Sequence, residues 1–222
     1  MIPKRLITAI MVLFIAGTIF AQTIYDATNY MKQGNDYFNR GDITNAIESF
    51  LRAKEIYEKT VGKNHPEYAS SLNNLGTLYI AMSDNSKAET HLLESLDIRA
   101  RVLGKENPDY ATSLNNLGLL YHYMRDYSKA ETYYLESIGI RARVLGKDHP
   151  NYATSLNNLG ALYNSMGDYS KAETYYLESI GIKARVLRKD HPSYADSLNN
   201  LGAIYKAMGD YSKGRNLLPG FP

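Results

Sequence analysis

Apolar residues recur along the chain at helical spacing, in paired stripes divided by short polar turns. From Pro108 the residues Leu114, Leu117, Gly118 and Tyr121 fall three and four apart, which predicts one helix reaching about Met124. A second stripe, Ala130, Tyr134, Ile138, Ala142 and Leu145, predicts a second helix beyond a turn at Asp126. The boundaries carry their own signals. Proline suits a first helical position because no hydrogen bond is lost there, and Asn107 or His149 stands before such a proline. Asp126 is the expected N-cap of the second helix, and Gly146 suits the left-handed residue that ends it.

The whole pair then repeats. Residues 108–149 return as 150–191 with seven changes, and the same register extends back over 66–107. Asn73-Asn74-Leu75-Gly76, Asn115-Asn116-Leu117-Gly118, Asn157-Asn158-Leu159-Gly160 and Asn199-Asn200-Leu201-Gly202 mark a period of 42. A fixed period of that size marks a solenoid or array, each repeat touching its neighbours.

Within a repeat, Gly118 and Ala130 are expected where two helices cross closely, with Leu114, Tyr121 and Tyr134 around them. This pattern resembles the tetratricopeptide repeat: a large residue, then Leu-Gly and Tyr in the first helix, Ala and an aromatic in the second. Leu114 replaces the family's tryptophan, the period exceeds the family's roughly 34, and the late proline is missing. The H-P-x-Y-A start and N-N-L-G core look like the repeats of kinesin light chain and of many bacterial proteins, over about residues 25–214. The resemblance implies an all-α, right-handed superhelical solenoid of antiparallel helix pairs, and a noncatalytic scaffold that binds a protein or peptide segment on its concave face.

The segments follow from the register. Residues 1–21 form a secretory signal peptide: Lys4 and Arg5, then the apolar run Leu6–Phe20, then Ala21. That run is short for a membrane span, and an uncleaved anchor is the alternative. Residues 22–65 are a divergent terminal repeat, with Gly34, Tyr37 and Ala46 aligned to Gly76, Tyr79 and Ala88. Residues 66–107, 108–149 and 150–191 are full repeats. Residues 192–222 are an incomplete one, because Gly214 replaces the crossing alanine and Pro219 and Pro222 forbid a long helix. Either residues 192–208 cap the array or the chain is a piece of a longer product. By resemblance, such a product would be an exported caspase-like peptidase or histidine kinase with this array as its sensor module. Self-association through the incomplete end is a third expectation.

Composition narrows the partners. Beyond residue 21 the chain carries 23 basic and 23 acidic residues, interspersed, which does not describe a nucleic-acid surface. It has no cysteine, so export brings no disulfide. His65, His149 and His191 hold one loop position in successive repeats and are read as caps. Neither a metal site nor a cofactor loop nor a nucleophile pairing is legible, so the expectation is no metal, no cofactor and no enzyme, and no membrane contact after signal cleavage.

Tyr79, Tyr121, Tyr163 and Tyr205, Tyr68, Tyr110, Tyr152 and Tyr194, and Tyr134 and Tyr176 are assigned to the core; Tyr123 is assigned to the surface. Asn115, Leu119 and His122 lie at i, i+4 and i+7 on the face beside the core stripe. The resemblance makes that face the peptide groove. It would be lined by Asn74, Asn116, Asn158 and Asn200 with Asn73, Asn115 and Asn157 beside them, or these asparagines would bond within the array and stiffen it. A carboxylate clamp is not expected: Asn35 and Asn74 match it, but Met31, Thr112 and Asn116 stand where its basic residues belong. Three of the seven changes lie on the groove face: Leu119 to Ala161, His122 to Asn164, Tyr123 to Ser165. The others, Asp109/Asn151, Arg125/Gly167, Arg141/Lys183 and Gly146/Arg188, are assigned to termini, turns or exposed surface. Gly139 and Gly181 are expected to face water, since Glu55 and Asp97 align with them.

Overall fold

A computed structural model describes residues 4–187 and 189–217. Arg188, Pro219 and Pro222, and the first three residues of the expected signal peptide, lie outside the described residues. Among those described, the regular structure is helical throughout, in successive pairs. The pairs are α1 (Lys4–Asn39) with α2 (Ile43–Thr60), α3 (Pro66–Ala81) with α4 (Asn85–Val102), and α5 (Pro108–Tyr123) with α6 (Tyr127–Val144). Then come α7 (Pro150–Met166) with α8 (Tyr169–Val186), and α9 (Pro192–Ala207) with the short α10 (Tyr211–Leu217). Two compact units divide the chain at Leu103 and Gly104. Among the described residues no helix is long and apolar enough to cross a membrane.

The capping residues explain the phasing. Asp42, Asp84, Asp126 and Asp168 each accept from the backbone N–H three residues on, the first orphan donors of α2, α4, α6 and α8. His65, His149 and His191 through Nδ1, and Asn107 through Oδ1, accept from the backbone N–H two residues on, each ahead of a proline at the helix start. The residue before each aspartate takes a left-handed conformation. It is Gly167 at φ 80° between α7 and α8, but Arg125 at φ 62° between α5 and α6.

One expectation about the core needs correcting, that of the buried row on α6. At the crossing, a Cβ on Gly118 would stand 2.6 Å from Tyr134 Cδ1, and one on Gly76 would stand 3.3 Å from the carbonyl oxygen of Ala88, in register with Ala130. Gly34 meets Phe50 and Gly76 meets Leu92 in the same way in the N-terminal unit. The buried row of α6 is Ala130, Tyr134, Ser137, Ile140 and Arg141, whereas Ile138, Ala142 and Leu145 are half-buried. Ile138 and Ala142 pack against the cluster of Tyr152, Ala153, Leu156 and Ile182 in the following pair. Counting apolar residues misplaces the row because Ser137 is buried by virtue of a bond it makes elsewhere. Its hydroxyl donates to the Ala111 carbonyl at 2.7 Å, and Ser179 and Ser95 repeat this on Ala153 and Ala69.

The tyrosines fall largely as the register requires. Tyr121, Tyr163 and Tyr205 are buried, as are Tyr68, Tyr110, Tyr152, Tyr134 and Tyr176. Tyr79 and Tyr194 are only half-buried. Tyr123 is 68 % exposed.

Candidate peptide-binding face and its polar support

In the C-terminal unit the face beside the core stripe is built on α5, α7 and α9, and its polar residues are held from behind. Arg141 projects from α6 with only 4 % of its surface exposed. Its guanidinium donates to Thr112 Oγ1 at 3.1 Å on α5, and to Asn151 O at 2.8 Å and Ser155 Oγ at 2.6 Å on α7. Ser155 passes its own proton on to Asn115 Oδ1 at 3.1 Å, and Asn158 Nδ2 donates to the same oxygen at 3.2 Å. One repeat later Lys183 does likewise: Nζ donates to Ser193 O and Ser197 Oγ, and Ser197 and Asn200 both donate to Asn157 Oδ1. A buried cation thus heads each relay and groove-side asparagines end it. The assignment of the Arg141/Lys183 change to exposed surface was wrong, because both side chains reach inward between successive first helices to satisfy buried hydroxyls and carbonyls.

Both cations are buried without a carboxylate hydrogen-bonded to them. Burial pushes the Arg141 guanidinium down to about 10, and it lowers Lys183 as well, opposed only by the charge of Asp196. Arg99 occupies the same register in the N-terminal unit, buried, and donates to Ser70 Oγ at 3.2 Å.

The expected groove residues separate into three groups. Asn73 and Asn115 are buried, at 5 % and 7 % exposure, and belong to the support. Asn74, Asn116, Asn157, Asn158 and Asn200 are half-buried; of these, Asn157, Asn158 and Asn200 are engaged in the relays. Leu119, His122 and Asn164 are half-buried, and Tyr123 is open to solvent. His122 and Tyr123 come together at the C-terminal end of α5. The imidazole of His122 stacks on Tyr123, meets Tyr127 edge-on, and bonds Ser165 Oγ at 2.8 Å through Nε2. Burial lowers the pKa of His122, favouring its neutral form. Among the described residues no group of three or more His, Cys, Asp or Glu is placed to hold a metal ion.

Sequence reasoning missed the cations. The available signal was their register: Ala130, Tyr134, Ser137 and Arg141 lie at i, i+4, i+7 and i+11, a single helical row.

Successive helix pairs with a glycine under an aromatic or leucine at each crossing define a helical-repeat interaction fold. The chain belongs to the tetratricopeptide repeat family, whose model matches residues 25–100, 80–142, 111–185 and 166–218. Comparison with curated proteins finds no match. Among solved structures, BtubC (BKLC) from P. vanneervenii is 22% identical with a TM-score of 0.65, over 90% of this chain and 88% of that one. A protein of Podosopora anserina described as a kinesin light chain with nearly identical TPR-like repeats is 25% identical with a TM-score of 0.67, over 86% and 90%. A Rap protein complexed with competence and sporulation factor is 18% identical with a TM-score of 0.77, over 86% of this chain but 52% of that one. These likenesses establish the all-α repeat fold. As a tetratricopeptide array the chain is a scaffold for protein interaction, a fold that is generally noncatalytic.

Proposed function

We propose that the chain binds a peptide segment of a partner protein along the groove face of α5, α7 and α9. Leu119, His122 and Tyr123, with their counterparts Ala161, Asn164 and Ser165, would set which segment is taken. One observation carries this. Two repeats that differ at seven positions place three of the changes on one helical face, and Tyr123 there is 68 % exposed. The relays support it, because the Asn158 and Asn200 amides are each tied by a hydrogen bond to the asparagine behind, and a tethered side chain costs less to order on binding. Peptides selected from a displayed random library should bind the parent chain. The Leu119→Ala, His122→Ala, Tyr123→Ala triple variant should lose them while melting within a few degrees of the parent. Retained binding would remove the assignment.

The layout of residues 1–21 supports export as part of the same proposal. N-terminal sequencing of the mature protein should begin at Gln22, and a chain still starting at Met1 would favour the anchor.

A further inference from the structure

One buried polar group takes no part in the relays. Among the described residues the hydroxyl of Tyr134 is wholly buried and has no hydrogen-bond partner. Packing does not require that hydroxyl. The same register holds Phe50 on Gly34 and Leu92 on Gly76, which close the crossing with carbon alone. A hydroxyl buried without a partner lowers stability, so its reason lies outside the packing of the array.

Its place in the fold points to the groove. Gly118 stands on α5 between the core row of Leu114 and Tyr121 and the groove row of Asn115, Leu119 and His122. The Tyr134 ring lies along this glycine from Cγ to Cε1, 2.6–3.0 Å from where a Cβ would stand. The hydroxyl, at the far end of the ring, therefore leads past the crossing towards the joint of α5 and α7. Arg141, two turns further along the same row of α6, enters that joint and bonds to both helices. Because α6 runs antiparallel to α5, Arg141 lies under the start of the groove and Tyr134 under its later part. Burial keeps the Tyr134 phenol protonated, and Tyr123 at that end of the groove adds to the effect, so the group stands as a donor.

The acceptor it suits is narrowly defined. An extended backbone lying on the face stays above the hydroxyl, so the acceptor must come on a side chain. Helices α5 and α7 contain no lysine or arginine, and the Arg141 guanidinium is directed to Thr112, Asn151 and Ser155. A carboxylate inserted beside Tyr134 would be buried without a counter-ion. The uncharged amide oxygen of an asparagine or glutamine meets both conditions.

We propose that the Tyr134 hydroxyl is a specificity contact of the groove: it donates to the side-chain amide oxygen of an asparagine or glutamine that a bound peptide inserts between Leu119, His122 and Tyr123. This inference rests on the groove reading above and names the side chain which that groove selects.

The test uses the full chain and fluorescein-labelled peptides selected on it from the displayed library, read by anisotropy. The selected peptides should share an asparagine or glutamine at one position. Tyr134→Phe should weaken binding about fivefold or more while melting at or above the parent, since Phe50 already fills this register. Replacing the shared amide residue by methionine should weaken binding to the parent by a similar factor and cost nothing further on Tyr134→Phe, as for two ends of one bond. Equal binding by Tyr134→Phe and the parent, or independent losses in that cycle, would overturn the proposal. So would a lower melting temperature for Tyr134→Phe, because the hydroxyl would then have its partner within the array. In each of these cases the groove reading stands if the Leu119→Ala, His122→Ala, Tyr123→Ala triple variant loses the peptides. If the triple variant keeps them, the groove reading fails and this inference fails with it.

Discussion

The glycine of the Asn-Asn-Leu-Gly element holds the same register in every repeat but not the same surroundings, and one methyl group tests the difference. At Gly118 an added Cβ stands 2.6 Å from Tyr134 Cδ1 and 2.7 Å from Cε1. At Gly202 nothing described lies within 4 Å. Carbon atoms in contact settle near 3.5–4.0 Å, so the Tyr134 ring would have to move by roughly 1 Å. It has nowhere to go, since its side chain is wholly buried. Overpacking of this kind costs about 1–3 kcal/mol. Alanine offsets part of it, because glycine within a helix is about 0.5–1 kcal/mol worse. Gly118→Ala should therefore destabilise by about 1–2 kcal/mol. Gly202→Ala should instead stabilise by about 0.5–1 kcal/mol.

Both variants are helical at the substituted site, so the backbone contribution cancels in their difference and leaves the crossing itself. Urea unfolding followed by far-UV circular dichroism, with slopes compared, gives the two values on one scale. Gly160→Ala should fall between them, because its Cβ would meet Tyr176 at 2.9 Å. If Gly118→Ala unfolds at or above the urea concentration of the parent, the ring does not seat on that glycine and the crossing has been misassigned.

Other expectations concern positions where the repeats diverge. Gly139→Ala and Gly181→Ala should each raise stability by about 0.5–1 kcal/mol, nearly additively, because the added Cβ meets only a flexible arginine tip at 3.5 or 3.8 Å. A lower melting temperature for Gly139→Ala would mean that a second helix or a partner sits there. Arg125→Gly should stabilise by about 1 kcal/mol in thermal melts, because Arg125 holds the left-handed conformation that glycine supplies between α7 and α8. No gain would show that the arginine side chain compensates for its backbone. Amide exchange should be faster over residues 192–217 than over 108–187, since α9 is incompletely covered and an array opens first at its least supported repeat. Even protection across both stretches would contradict that ordering.

The fold was legible because the period makes each local signal appear several times. Pro108, Asp126 and Gly146 bracket helices that the structure ends within a residue of the expectation, at Tyr123 and Val144. What stayed hidden depends on partners that are not local in sequence. Ser137 reads as a surface residue until the Ala111 carbonyl, 26 residues back, is placed beside it. Arg141 and Lys183 read as an interchangeable pair on an outer face, because a charge is ordinarily solvated and their place at the end of the row of Ala130 and Tyr134 does not by itself name a buried acceptor. Their acceptors, Ser155 and Ser197, come 14 residues later on the next first helix. The groove asparagines were undecided between facing a partner and bracing the array for the same reason: Asn115 and Asn157 accept from residues at a separation of 40 and 43.

Lys183 offers the sharpest test of the relay, because its burial in the folded chain couples its titration to stability. The residue is 3 % exposed, and its bonds go to a hydroxyl and a carbonyl rather than a carboxylate. Burial lowers its pKa in the folded chain, while in the unfolded chain it titrates near the usual 10.4 or so. Between those two values the folded state has lost the proton and the unfolded state still holds it. The unfolded state then binds more protons, so stability rises with pH through that window and levels off above it. A neutral amine still donates to Ser193 O and Ser197 Oγ, so the relay survives deprotonation. Lys183→Met removes the titration without removing the side-chain bulk. The stability of the parent relative to this variant should therefore increase with pH over the window that ends near the unfolded value of about 10. A flat difference would mean that Lys183 is solvated in solution, and the buried relay of the last joint would fall with it.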